Sequence, residues 1–331
     1  MFMKSTDPIS QLQKLLFNQL QLMDQLFSKM MESENAPRIP EITKHILDSG
    51  GKKLRPLLCI ASAEALNYKS NKHILLAATI EFIHTATLLH DDVVDESLTR
   101  RGKKTANLLW DNKSSILVGD FLFSRAFQLM VSTNSLEVLK VLSNTAAFIS
   151  ESEVLQLSNI KNVNIDLQTY FKIIEGKTAA LFSAACETGA MISTNNLNHI
   201  KNFKSFGKSI GICFQLIDDY LDYTGETKIM GKSVGDDFFN SKLTYPIILT
   251  LKKSNKVDSD KIKTLFLKSD KSQNDLSSLF EILDRYDALK NTKKEAKKWS
   301  KLARLSLKAI PQSSIKNLLE EISNYIISRT S

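Results

Sequence analysis

The sequence writes one acidic pattern twice, Asp-Asp-Val-Val-Asp at 91–95 and Asp-Asp-Tyr-Leu-Asp at 218–222. Each closes a long apolar run, 77–90 before the first and 211–217 before the second. If both runs are helical, the first and fifth positions of each pentad stand at i and i+4 on one face. Two carboxylates at that spacing repel each other by roughly 0.2–0.5 kcal/mol. One such pentad is more often a solvated helix end. Two copies, each beside apolar surface where charges are rarely left unpaired, point to a cation. Hard divalent ions such as Mg²⁺ take carboxylate oxygens, keep several waters and complete their shell with substrate phosphate. The pattern therefore reads as two Mg²⁺–phosphate sites facing each other.

Basic residues gather around the pentads. Gly50 and Gly51 precede Lys52 and Arg55, and glycines let backbone N–H groups approach an anion. Arg100, Arg101 and Gly102 follow soon after Asp95. Lys177 and Thr178 interrupt an apolar helix, where an unpaired lysine is costly. Lys232 and Lys242 flank Asp236 and Asp237. His84 lies two turns before Asp91 on the same side of its helix, and Gln215 points towards the second acidic face. Taken singly, each has a plainer reading. Lys52 or Lys232 is then a solvated loop lysine, Arg100 and Arg101 answer a helix dipole, and His84 is a satisfied core residue.

The elements that must position these residues read as helices. Only 11 Gly and 6 Pro punctuate 331 residues, and apolar residues recur at three and four, as in Ile9, Leu12, Leu15, Leu16, Leu20 and Met23. Alternating strand patterns are hard to find. Helices are predicted at roughly 9–32, 40–48, 54–67, 73–91, 104–131, 135–159, 166–192, 196–222, 243–254, 259–269, 275–288, 289–309 and 312–328. No polar linker divides them, so one all-α domain over 1–331 is expected.

Bulk properties narrow the function. The net charge is +8, with 43% apolar and 24% charged residues. Its lysines are spread along the helices without the interleaved aromatics of single-strand binders, which argues against nucleic acid and for an anionic substrate. Cys59, Cys186 and Cys213 sit in apolar runs with no ligand spacing and read as buried thiols in a reduced compartment. No leader pattern and no membrane-spanning apolar run is apparent, so a soluble, cytoplasmic protein is expected.

Seven ordered motifs over roughly residues 45–250 carry a resemblance. They are GGKKLRP at 50–56, FIHTATLLHDDVVDES at 82–97, RRG at 100–102, GDFLFSRAF at 119–127, KTAALF at 177–182, FQLIDDYLD at 214–222 and GKSVGDDF at 231–238. The chain resembles the trans-polyprenyl diphosphate synthases, and among them the bacterial octaprenyl diphosphate synthases. The resemblance implies a single bundle of mostly antiparallel helices around a deep cavity, usually a homodimer. It implies head-to-tail condensation of isopentenyl diphosphate with an allylic diphosphate. Asp91, Asp95 and Asp218, with Asp92 and Asp222 of the same pentads, would hold about three Mg²⁺ ions on the allylic diphosphate. Arg100, Lys177, Lys232 and Lys242 would hold that diphosphate too, with Thr178 and Gln215 near the developing cation. Lys52, Arg55, His84 and Arg101 would hold isopentenyl diphosphate. One departure is Ser241 before Lys242, where the family commonly has Gly.

Product length follows from shape. The growing chain is expected to descend along the helix carrying Asp91, past the small Ala86 and Thr87, to a floor formed by Phe123, Phe127, Leu129 or Met130. By the same resemblance Met130 is the expected floor. A long product follows from the open depth; the resemblance implies octaprenyl length and a quinone side chain as its destination, with a peripheral membrane contact for its release. A class I terpene cyclase also uses paired acidic motifs, but lacks the isopentenyl site that Lys52, Arg55 and Arg101 imply. A shorter-chain synthase is the alternative within the family. A non-catalytic partner subunit usually loses part of a pentad, and both are whole here.

Overall fold

The computed structural model describes residues 7–224 and 234–329. It is built from helices in the order α1 (Pro8–Leu15), α2 (Phe17–Met31), α3 (Arg38–Asp48), α4 (Leu54–Glu64) and α5 (Lys72–Val94). A small hairpin follows, β1 (Thr99–Arg100) and β2 (Lys103–Lys104), and then α6 (Ala106–Leu109), α7 (Asn112–Ser132), α8 (Leu136–Leu157) and α9 (Leu167–Ile174). A π-helical turn over Glu175–Ala179 leads into α10 (Ala180–Met191) and α11 (Leu197–Asp222). The rest is α12 (Asp236–Phe239), α13 (Tyr245–Lys253), α14 (Lys256–Leu267), α15 (Gln273–Arg285), α16 (Ala288–Ser306) and α17 (Ser314–Ser328). The all-α expectation is borne out.

Helices α4, α5, α10 and α11 form the centre: α5 packs on α4 and α7, and α10 lies against α4 and α11. Helix α5 is apolar nearly all round, the signature of a buried helix, and Ile80, Phe82, Ile83, Ala86 and Leu89 are fully buried. One continuous hydrophobic cluster runs from Ile9 in α1 to Ile326 in α17. Asp7 caps α1 by accepting from the backbone N–H of Ile9 and Ser10, each at 3.1 Å. The three cysteines are buried and unpaired, and burial pushes the Cys186 and Cys213 thiols up to about 12.

Three expectations need correction. The segment 9–32 breaks at Leu16, between α1 and α2. The helix expected from 104 begins only at Asn112, because β2, Thr105 and α6 occupy its first part. Helices α5 and α7 are each long and apolar enough to cross a membrane by length and composition, contrary to the expectation of no such run. In α5 most of that surface is packed inside the fold.

Candidate active site

Both pentads end their helices, Asp91 to Val94 in the last turn of α5 and Asp218 to Asp222 in the last turn of α11. Asp91 is half-buried and Asp95 exposed at the C-cap of α5. Burial raises the Asp91 pKa, Lys177 opposes this, and Asp95 reinforces it. In the second pentad, burial and then Asp237 push Asp222 up to about 8. Such carboxylates lack sufficient positive charge of their own.

Among the described residues, no three His, Cys, Asp or Glu side chains converge closely enough to hold one ion. That suits Mg²⁺, which commonly binds one or two carboxylates and draws its remaining ligands from phosphate and water. Asp92 is also engaged within the chain. Its carboxylate is buried and takes Arg100 in two contacts, from Nε at 2.9 Å and Nη2 at 2.8 Å. Both nitrogens converge on Oδ1, so Asp92 anchors Arg100 by a charge-assisted contact through one oxygen.

The chain turns back to Asp92 directly after α5, where Glu96 has φ of +49° and Ser97 N donates to Asp92 O at 2.9 Å, and the hairpin follows. Arg100 pairs with Lys103, leaving Arg101 and Gly102 as a two-residue turn with φ of +51° and +76°. Positive φ at both positions defines a type I′ turn, which reverses the chain tightly. Gly51 then lets the Arg101 guanidinium approach, since a β-carbon there would lie 2.5 Å from its Nη1.

Lys52, Arg55, His84 and Arg101 line one cavity of about 290 Å³, so the structure brings all four together. Burial lowers the Arg55 pKa to about 10, which still leaves it charged at neutral pH. Burial, then Arg55 and Arg101, hold His84 well below its ordinary value, so its ring is neutral and its Nε2 accepts from Arg55 Nη1 at 3.2 Å. The Arg55 guanidinium lies 4.4 Å from the Phe182 ring centre. The cavity is thus a cationic pocket with apolar walls.

Lys177, Thr178, Gln215 and Lys242 line a second cavity, about 110 Å³, with Asp219 and Tyr170. The π turn carries Lys177 and Thr178, a distortion frequent at functional sites. Lys177 Nζ donates to Glu153 Oε2 at 2.7 Å and Gln156 Oε1 at 2.9 Å, and lies 3.8 Å from Asp91 Oδ2. Thr178 Oγ1 donates to Gln215 Oε1 at 2.8 Å, and Gln215 Nε2 donates to Asp219 Oδ1 at 2.9 Å. Tyr170 Oη completes the chain by donating to Asp219 at 2.5 Å. Burial and Asp237 raise Asp219 to about 6. Lys242 lies 3.2 Å from Asp237; burial would lower its pKa, but Asp237 and Asp219 hold it above the ordinary value. Lys232 falls outside the described residues.

Glu81, Glu153, Gln156 and Arg329 belong to these sites without having been expected from sequence. Glu81 was open to detection as a carboxylate inside an apolar run; Glu153 and Gln156 look like ordinary polar positions of α8. Ser241 stands where the backbone conformation favours the glycine it replaces. Its φ is +57°, the left-handed region that favours glycine, and its hydroxyl gains Lys271 as a partner.

The chain-length candidates separate by position. Ala86 and Met130 are fully buried on the neighbouring helices α5 and α7, Phe123 is partly buried, and Thr87 is half-buried and donates to His84 O at 2.8 Å. Phe127 is 45% exposed on the outer side of α7, so it does not form an interior floor within one chain.

The π turn approaches α8 so closely that only glycine fits at 176. A β-carbon there would collide with the Ser152 side chain and stand 3.0 Å from Phe148 O. Gly176→Ala is expected to destabilise the fold by about 1–3 kcal/mol, measurable by thermal or urea unfolding.

A helical bundle that presents two aspartate pentads, a cationic cavity and a second cavity carrying Lys177 and Lys242 is built to handle diphosphates. The polyprenyl synthetase family profile matches residues 36–283. The octaprenyl diphosphate synthase of Escherichia coli (strain K12) is 38% identical over 291 residues, 88% of this chain and 90% of that one. Among solved structures, a decaprenyl diphosphate synthase from Rhodobacter capsulatus superposes with TM-score 0.93 at 42% identity, covering 98% of this chain and 99% of that chain. A polyprenyl synthase from Caulobacter crescentus CB15, solved with calcium and isoprenyl diphosphate, superposes with TM-score 0.92 at 37% identity, covering 98% of each chain. The chain belongs to the polyprenyl synthetase family, and it is a prenyltransferase.

Proposed function

We propose that the enzyme joins isopentenyl diphosphate to an allylic diphosphate, head to tail and in trans geometry, and repeats the step to a long, octaprenyl-length product. The observation that carries this reading is the pairing of two cavities: one lined by Lys52, Arg55, Arg101 and Arg329, the other by Lys177, Lys242 and Asp219 of the second pentad. Two diphosphates are thereby separated by function. Asp91, Asp95 and Asp218, with Asp92 and Asp222 of the same pentads, would hold about three Mg²⁺ ions, which when bound neutralise the diphosphate as it leaves. Lys177 and Lys242, together with Lys232 and the anchored Arg100, add fixed positive charge at the same oxygens. Thr178 and Gln215, locked to Asp219, orient a polar wall beside the developing cation. Lys52, Arg55, His84 and Arg101 position the second substrate, so that its double bond meets the cation effectively intramolecularly.

Long-chain products in the named relatives and the small Ala86 support length; a quinone side chain is the proposed destination. A single helical domain in the cytoplasm, with peripheral membrane contact for product release, completes the reading. An apolar band on α7 and α8, with Leu117 66%, Val131 63% and Val154 63% exposed, supports a homodimer. Leu117→Asp with Val131→Asp is expected to shift sedimentation from dimer to monomer.

Incubating the purified protein with Mg²⁺, farnesyl diphosphate and labelled isopentenyl diphosphate tests the reading. Extended polyprenyl diphosphates are expected by mass spectrometry. Cyclic hydrocarbon, or no incorporation, would overturn it and favour a cyclase or a non-catalytic subunit.

A further inference from the structure

Arg329, at the C-cap of α17, reaches both sites with one side chain. Its guanidinium stacks 3.8 Å from the Phe214 ring centre and donates from Nη2 to Phe214 O at 3.1 Å. The same Nη2 pairs with Asp218 of the second pentad. Arg329 also lines the cationic cavity together with Lys52, Arg55 and Arg101. Its side chain is only 10% exposed, and its Nε is buried without a partner.

Arg55 provides a matching arrangement on the other wall. It too stacks on a phenylalanine, Phe182, and it too leaves a buried Nε unpartnered. The two rings lie 5.7 Å apart. Two stacked guanidinium groups with unused donors therefore border one cavity, and such groups suit an anion that takes several hydrogen bonds at once. The helix that ends at Arg329 contributes a second wall residue, Tyr325, whose ring centre is 5.6 Å from Lys52 Nζ.

We propose that Arg329 is a shared latch between the two substrate sites. Without substrate it is the counter-ion of Asp218. With a divalent ion and the allylic diphosphate bound, Asp218 would be engaged as a ligand, and the Arg329 guanidinium would turn on its side-chain bonds into the cationic cavity and hold the second diphosphate. Filling either site thereby favours filling the other, and the coupling is reciprocal by linkage. This inference rests on the functional reading above.

The test is calorimetric and needs no turnover. Binding of farnesyl thiolodiphosphate with Mg²⁺ is measured with and without isopentenyl diphosphate, in the wild type and in Arg329→Gln. Arg329→Gln is expected to bind the Mg²⁺–thiolodiphosphate more tightly when isopentenyl diphosphate is absent. The gain in affinity that isopentenyl diphosphate confers is expected to be about tenfold larger in the wild type than in the variant. Arg329→Lys, which keeps the charge but loses the planar fork, is expected to restore part of the coupling. An equal gain in wild type and Arg329→Gln, with both proteins melting alike, overturns the latch while leaving the functional reading intact. If the wild type binds neither ligand, the functional reading itself falls, and the latch with it.

Discussion

Asp91→Asn is expected to lower turnover by about 10²–10³-fold while leaving the melting temperature unchanged or slightly higher. The two effects have separate causes. Asp91 sits in a desolvated position with Asp95 one turn away, so its charge is opposed by burial and by a like neighbour. An isosteric amide removes both penalties. Its favourable partners are Lys177, at 3.8 Å, and Arg100; Lys177 keeps Glu153 at 2.7 Å and Arg100 keeps Asp92 at 2.8 Å when the Asp91 charge is gone. No buried lysine is orphaned, so the fold loses little. Catalysis loses much more, because a carboxylate aimed at the substrate's cation acts where charge develops and where solvent screening is weak. Steady-state assays beside thermal unfolding check both signs. A large fall in melting temperature would mean that Asp91 stabilises the fold, contrary to the metal-site reading.

The same contrast explains what was legible from sequence. The pentads announce themselves because two like charges at i, i+4 after an apolar run are a local pattern, and the local cost marks a function. The cationic pocket was partly legible, since Lys52, Arg55 and Arg101 stand beside glycines, and the structure seats all of them with His84 on one cavity. The partners of these residues were not. Asp92 meets Arg100 through the turn at Glu96 and Ser97, and a pentad read in isolation does not show that partner. Lys177 finds Glu153 and Gln156 across helices, through a π turn that depends on Gly176 passing Ser152. A π turn changes helical register by a tertiary contact, so no periodicity in 166–192 foretells it. Arg329 is further still from prediction. Its position just after the last helix looks like an ordinary basic C-cap until α17 is packed beside α11.

Ala86→Phe is expected to shorten the product by several isoprene units, and Met130→Ala to lengthen it. Ala86 and Met130 occupy helices α5 and α7, which pack side by side, and both are fully buried. A product descending from Asp91 between these helices must therefore push core side chains apart, and it stops where that cost exceeds the gain from adding another unit. Bulk at position 86 raises the cost near the mouth of the path; loss of bulk at 130 lowers it at the far end. Overpacking at a buried alanine costs about 1–3 kcal/mol, so a weaker fold is expected beside the shorter product. Grading the series separates the two effects. Ala86→Val, Ala86→Leu and Ala86→Phe should shorten the product stepwise as side-chain volume grows. Instability alone would lower the yield at constant length, because a partly unfolded population makes less product but not a different one. Mass spectrometry of the diphosphates across the series, with melting curves for each variant, reads both quantities. Constant length across it would place the path elsewhere and remove Ala86 and Met130 from the wall of the channel.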